Sequence, residues 1–158
     1  MRDALLFLVF AIAAVLAGNL ILTSQIITAP EAEAATSASN LLLEKGIEEL
    51  EGSNHADAIL LFEQAVTANP KNARAFSYLG RGYGQVGNNA RAYKYYGIAL
   101  DIDPHEIKAL SWSGQADLRN DRLELADKKL ARLERVCGSA CPEYQSLKDA
   151  RDNLDSKD

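Results

Sequence analysis

Beyond the first forty positions, apolar residues recur at helical spacing. Ile59, Phe62 and Val66 fall at i, i+3 and i+7, and Leu123, Ala126, Leu130 and Leu133 repeat the pattern. Short polar stretches interrupt these runs: Gly52-Ser53-Asn54, Gly87-Asn88-Asn89 and Asn120-Asp121 read as turns between helices. Pro70 and Pro104 mark points where the chain leaves one helix pair for the next, because proline lacks the amide a helix interior needs. After Pro142, a last segment places Tyr144, Leu147, Ala150 and Leu154 on one side and charge on the others. The pattern predicts an all-α chain of antiparallel helix pairs closed by a final helix.

The N-terminus follows a different rule. Residues 4–30 carry no charged side chain, and Ala4–Thr23 is apolar apart from Asn19 and its final Thr. About 20 apolar residues at about 1.5 Å each cross a hydrocarbon layer. The shorter core Ala4–Ala17 also suits a signal peptide, with small-x-small sites at Val15-Leu16-Ala17 and Ala32-Glu33-Ala34. Residues 1–28 are therefore read as a transmembrane anchor or a signal peptide. Arg2 before the run, with Glu31 and Glu33 after it, orients the domain away from the cytoplasm. The small, polar residues 29–38 read as a flexible tether.

Self-similarity organises the rest. Pro70 and Pro104 lie 34 residues apart and close the related phrases AVTANPKN and ALDIDPHE. At that period Gly46, Gly80 and Gly114 align, as do Ala58, Ala92 and Ala126, then Phe62, Tyr96 and Leu130, then Ala65, Ala99 and Leu133. The middle unit carries Phe76, Leu79, Gly80, Tyr83, Ala92, Tyr96, Ala99 and Pro104. This series resembles the tetratricopeptide repeat, W-x2-L-G-x2-Y, then A-x3-F, then P. The first unit departs from it at Lys45 and Glu49, and the third at Ser113, Asp117 and Gly138. The resemblance implies three helix-turn-helix repeats, at 39–72, 73–106 and 107–140, forming a short right-handed solenoid. Residues 141–158 then supply a capping helix and tail, since a solenoid needs a polar outer face at its end.

The same resemblance points to a binding surface. In that family the first helix of each repeat lines the concave ligand face. Transferred by position, the face presents Leu43 and Ile47, then Arg74, Tyr78, Arg81 and Gln85, then Lys108, Trp112, Gln115 and Arg119. Bases beside aromatics suit an acidic or aromatic-containing peptide. Alternatively, Tyr78 and Trp112 pack between hairpins while the basic heads are solvated. The clamp with which chaperone-binding members hold a terminal carboxylate would fall on Leu43, Ile47, Tyr78, Lys108 and Trp112, of which only Lys108 is suitable.

Charge refines this picture. The formal net charge of −5 argues against general nucleic-acid binding. Between Gln64 and Leu100 there are five bases and no acid, whereas residues 39–72 hold six acids against two bases. Attraction between adjacent repeats is one explanation, and an acidic partner is the other.

Cys137 and Cys141 frame a Gly-Ser-Ala turn and, outside the cytoplasm, read as a disulfide. The spacing is not that of a redox or haem motif, and the isolated His55 and His105 fit no metal-ligand pattern, so no metal or other cofactor is expected. No nucleophile or nucleotide-binding motif occurs, which points away from an enzyme and a small-molecule substrate. The expected function is an extracytoplasmic scaffold, anchored to the membrane or released to the periplasm, that binds a protein or peptide. The alternative is an assembly factor, a chaperone-like holder in cytochrome c maturation or envelope complex assembly.

Overall fold

The computed structural model describes residues 30–155, and among these every regular element is a helix. The chain divides into two compact units, Met1–Ser37 and Ala38–Asp158. The apolar run Ala4–Thr23 lies outside the described residues. Among the described residues, no helix is long and apolar enough to cross a membrane.

Of the first unit, residues 30–37 are described, and they are helical. The stretch expected as a tether is therefore not irregular. Its physical reason is compositional: Ala and Glu, which dominate positions 31–35, are among the best helix formers. Thr36 donates its hydroxyl hydrogen bond back to the Ala32 carbonyl at 2.9 Å, within that helical stretch.

Helix α1 covers 30–51. It is followed by α2 (His55–Ala68), α3 (Ala73–Gln85), α4 (Asn89–Ile102), α5 (Ile107–Leu118), α6 (Leu123–Cys137) and α7 (Pro142–Asp155). From α2 onward each helix packs on the next, and α3 also meets α5 as α5 meets α7. First helices thus stack on first helices, the arrangement of a solenoid of hairpins.

The 34-residue period is written into the backbone. Ser53, Gly87 and Asp121, one period apart, each take a left-handed conformation at φ 64°, 77° and 55° in the turn between the two helices of a hairpin. Close approach repeats too. A Cβ on Gly46 would lie 2.5 Å from the Phe62 ring, and one on Gly80 would lie 2.6 Å from the Tyr96 ring. In the third unit the neighbour changes: a Cβ on Gly114 would strike Leu147 of α7 at 2.6 Å. Ala58, Ala92 and Ala126 are all buried.

Two apolar clusters fill the second unit. One gathers Leu43, Phe62, Leu79, Tyr83 and Tyr96; the other gathers Leu110, Leu118, Leu133 and Leu147. Leu147 is fully buried, and Tyr144, Ala150 and Leu154 pack beside it. Tyr144 and Leu147 stand 68 residues after Phe76 and Leu79, so α7 occupies the place of a fourth first helix. Lys45 sits one period before Leu79 and is exposed. A charged residue is tolerated there because no earlier hairpin of this unit covers it. At the other end, Ser111 donates to the Glu143 carbonyl at 3.1 Å, and the Cys137–Cys141 disulfide joins α6 to α7 with Cα atoms 5.7 Å apart.

One repeat position, which holds a tyrosine in the middle unit and acids in the other two, keeps one rule. Glu49, Tyr83 and Asp117 are one period apart, and each makes a polar contact with the next turn or helix. Asn54 donates to Glu49 at 2.7 Å, and Arg91 donates to the Tyr83 hydroxyl at 3.0 Å. Arg122 Nε stands 2.9 Å from Asp117 Oδ1, off the hydrogen-bond direction, so that contact is ionic. Lys129 bonds the other carboxylate oxygen of the fully buried Asp117. Three different chemistries thus tie the two helices of a hairpin at one repeat position.

Candidate binding face on the first helices

On α3, Arg74, Tyr78 and Arg81 fall at i, i+4 and i+7 and share a face; on α5, Lys108 and Trp112 sit one period after Arg74 and Tyr78. The structure brings these five together. The rings of Tyr78 and Trp112 meet edge to face, 5.1 Å apart at 83°. Tyr78 also leans on Phe62 at 5.7 Å and Trp112 on Tyr96 at 6.4 Å, which roots both rings in the first cluster. Three cations border the pair: Arg74 lies 5.6 Å from the Tyr78 ring centre, and Arg81 and Lys108 lie 5.5 and 5.7 Å from that of Trp112. Such contacts contribute about 0.5–1 kcal/mol each where solvent reaches them.

The rings pack between hairpins and stay half-buried beside the basic heads. The bases, however, are not all solvated. Arg74 pairs with Glu44 of α1 at 2.7 Å, and Lys108 pairs with Glu143 of α7 at 2.6 Å. Burial works against the Glu143 carboxylate, but the Lys108 hydrogen bond and charge, with its own backbone amide, hold its pKa below the ordinary value. Arg81 makes no ion pair among the described residues. These acid partners escaped the sequence reading because each lies on the neighbouring repeat's first helix, where only three-dimensional stacking makes it a neighbour.

Other expected face residues divide. Leu43 is 1% exposed and belongs to the core, so it presents nothing to a ligand: its side chain is consumed in packing with Phe62 and Leu79. Ile47 is half-buried against the same cluster. Gln85 is exposed at the end of α3. Gln115 donates to Ser146 of α7 at 2.9 Å. Arg119 is exposed, and together with Arg81 it opposes the effect of burial on the Tyr96 hydroxyl, whose pKa burial pushes up to about 12. Among the described residues no group of His, Cys, Asp and Glu is placed to hold a metal ion. His105 is exposed beside Asp103, 3.9 Å away.

No protein-family model matches the chain. "Cellulose synthase operon protein C" of Escherichia coli (strain K12) is 35% identical over 69 residues, which is 44% of this chain and 6% of that protein. The chain thus spans a small fraction of the length of the curated relatives it matches. Among solved structures, the first TPR of Spaghetti (RPAP3), bound to the HSP90 peptide SRMEEVD, superposes with a TM-score of 0.66 at 21% identity, covering 76% of this chain and 95% of that one. PilF of Pseudomonas aeruginosa gives 0.69 at 18% identity, covering 78% of this chain and 55% of that one. The Arabidopsis OM64 TPR domain gives 0.68 at 20% identity over 78% of this chain and 99% of that one. With the stacked hairpins, the period-34 glycines and the repeated turn geometry, these likenesses make the fold a tetratricopeptide-repeat solenoid.

Proposed function

We propose that this chain is a non-catalytic scaffold that holds a protein or peptide partner on its first-helix face. The observation that carries the reading is the Tyr78–Trp112 edge-to-face pair with Arg81 over the indole, a guanidinium that no acid pairs with among the described residues. A partially exposed aromatic pair anchored from below is preorganised, so little side-chain entropy is lost when a ligand covers it. The partner best suited to it is an extended segment with an apolar or aromatic anchor and an acidic group reaching Arg81. Glu44 and Glu143 narrow that specificity, because they already satisfy Arg74 and Lys108.

A terminal-carboxylate clamp is a poor fit. Of the five positions that would form it, Leu43 is buried, Ile47 is apolar, Tyr78 and Trp112 are paired rings, and Lys108 is engaged by Glu143. The likeness to the RPAP3 domain is therefore of fold and not of ligand chemistry. The N-terminal apolar run and the charges around it support display outside the cytoplasm, tethered to the membrane or released from it. A second reading, an accessory to assembly of an envelope complex, is favoured by the 69-residue likeness to a cellulose synthase operon protein.

The test is photocrosslinking of the full-length chain in its native cell, with the probe at Tyr78 and a control at Lys94, exposed on α4. A discrete adduct from Tyr78 and none from Lys94 is expected. Adducts at Lys94 with none at Tyr78 would move the working surface to another face and refute the reading.

A further inference from the structure

A second polar feature lies away from the aromatic pair, where the turn of the second hairpin faces that of the third. A cavity of about 270 Å³ opens there between α4 and the α5–α6 connection. Asn89 and Tyr93 of α4 line it together with Arg119, Asn120 and Arg122. Ala92 and Ala116, both buried, also line it and bring no polar side chain. Among the described residues that line it, none is acidic.

What distinguishes this cavity from an ordinary basic surface is the support under Arg122. Its guanidinium carbon lies 4.4 Å from the centre of the Tyr93 ring, and its Nε lies 2.9 Å from Asp117. Asp117 is fully buried and also holds Lys129, which itself stands 5.2 Å from the Tyr93 ring centre. The buried carboxylate holds two cations beside one ring and neutralises only one of them. Arg119 adds another positive charge and makes no ion pair among the described residues. The three bases Lys129, Arg122 and Arg119 thus outnumber the one carboxylate of Asp117, a formal charge of about +2.

We propose that this cavity is an oxyanion site taking inorganic phosphate or a small phosphate monoester. Arginine forks match the geometry of a phosphate's oxygens, and a fixed guanidinium forfeits little freedom on binding. The net charge fits a dianion better than a single carboxylate, and the volume admits the anion with a short substituent rather than a folded element. Asn120 keeps its carboxamide in place by donating to the Ala116 carbonyl at 2.6 Å, which leaves its second N–H for the ligand. The site is separate from the aromatic pair, so it stands or falls independently of the scaffold reading.

The experiment is a titration of the full-length chain with inorganic phosphate and, in parallel, with O-phosphoserine, at constant ionic strength held by chloride, followed by amide chemical shifts. Saturable shifts clustered at Asn89, Arg119 and Asn120 are expected with one or both ligands. Tighter binding of phosphoserine assigns the site to phosphate esters, and equal binding assigns it to the free ion. Arg119→Gln, at an exposed position with no ion pair to lose, should weaken binding about tenfold or more, since hydrogen bonds between charged partners are the strong ones. Arg135→Gln is the control, placed in a different basic hollow with His105 and Arg132, and should leave binding unchanged. Non-saturating shifts spread over every basic residue, equal losses from the two variants, or unchanged binding in Arg119→Gln would overturn the proposal.

Discussion

Two glycines on adjacent helices make opposite predictions for the same substitution. Gly80 lies mid-way along α3, and Gly97 lies mid-way along α4. Replacing either with alanine removes backbone freedom from the unfolded chain, which favours the helix by about 1 kcal/mol. Around Gly97 there is no heavy atom within 4 Å of the new methyl, so nothing offsets that gain. Around Gly80 the methyl would stand 2.6 and 2.7 Å from two carbons of the Tyr96 ring and 3.0 Å from the Ala92 carbonyl oxygen. Tyr96 is 2% exposed, so its ring has nowhere to go without parting α3 from α4. Overpacking of that kind costs roughly 1–3 kcal/mol, from which the helix gain is subtracted, and backbone on one side places Gly80 towards the upper end. Gly97→Ala should therefore gain about 0.5–1 kcal/mol and Gly80→Ala should lose about 1–2 kcal/mol. At roughly 4 °C per kcal/mol for a domain near this size, the two melting temperatures should separate by about 6–12 °C. Urea unfolding and thermal melts of the two variants beside the parent chain check this. Because the intrinsic helix term is common to both, their difference isolates the steric one. Equal shifts in the same direction would show that the α3–α4 approach at Gly80 is not as close as described.

Two further outcomes follow from buried charge. Asp117→Asn keeps the shape but leaves Arg122 and Lys129 without their counter-charge, and should destabilise the chain by about 3 kcal/mol, read from the urea midpoint; a change within about 0.5 kcal/mol would refute the ionic account. Glu106 caps α5 by accepting from the Lys108 amide at 3.2 Å, yet burial, outweighing that bond, raises its pKa above the ordinary value. A carboxyl that holds its proton more tightly when folded loses stability as pH rises from its unfolded value through its folded one. Glu106→Gln retains an acceptor for the cap, so it should stabilise the chain relative to the parent at pH 7 and lose that advantage at pH 4; unfolding midpoints at the two pH values check the sign.

Much of the fold is legible in the residues because the repeat leaves redundant marks. Gly46, Gly80 and Gly114 announce three close helix contacts, and Ala58, Ala92 and Ala126 announce three buried small positions. The left-handed turn residues are less legible, since only Gly87 advertises the conformation that Ser53 and Asp121 share with it. The candidate face is legible in part. Spacing along one helix places Arg74, Tyr78 and Arg81 together, and the period brings in Lys108 and Trp112. Neither rule reveals that Leu43 faces inward, because helical spacing defines a face without saying what covers it. Pairing across stacked helices, as in Arg74–Glu44 and Lys108–Glu143, depends on how far one hairpin slides over the next, and no single-helix pattern encodes that.

The charge asymmetry between the first two repeats shows why the departures from the repeat pattern matter more than the matches. Part of it is internal: Glu44 takes Arg74, and Glu63 accepts a 2.6 Å hydrogen bond from the Tyr83 hydroxyl that Arg91 also contacts. These contacts tie α1 and α2 to α3 and α4, so an acidic first hairpin against a basic second one is first a device for stacking. Arg81, over the indole, is a base on the aromatic face that this stacking leaves without an acid among the described residues. In the third repeat a buried aspartate replaces the buried tyrosine, which stacks on Tyr95 at 5.5 Å, and the position then holds two cations beside a cavity. Residues that match the repeat signature build the solenoid; the residue that breaks it at Asp117, and those that decorate it at Arg81 and Trp112, carry the surface chemistry.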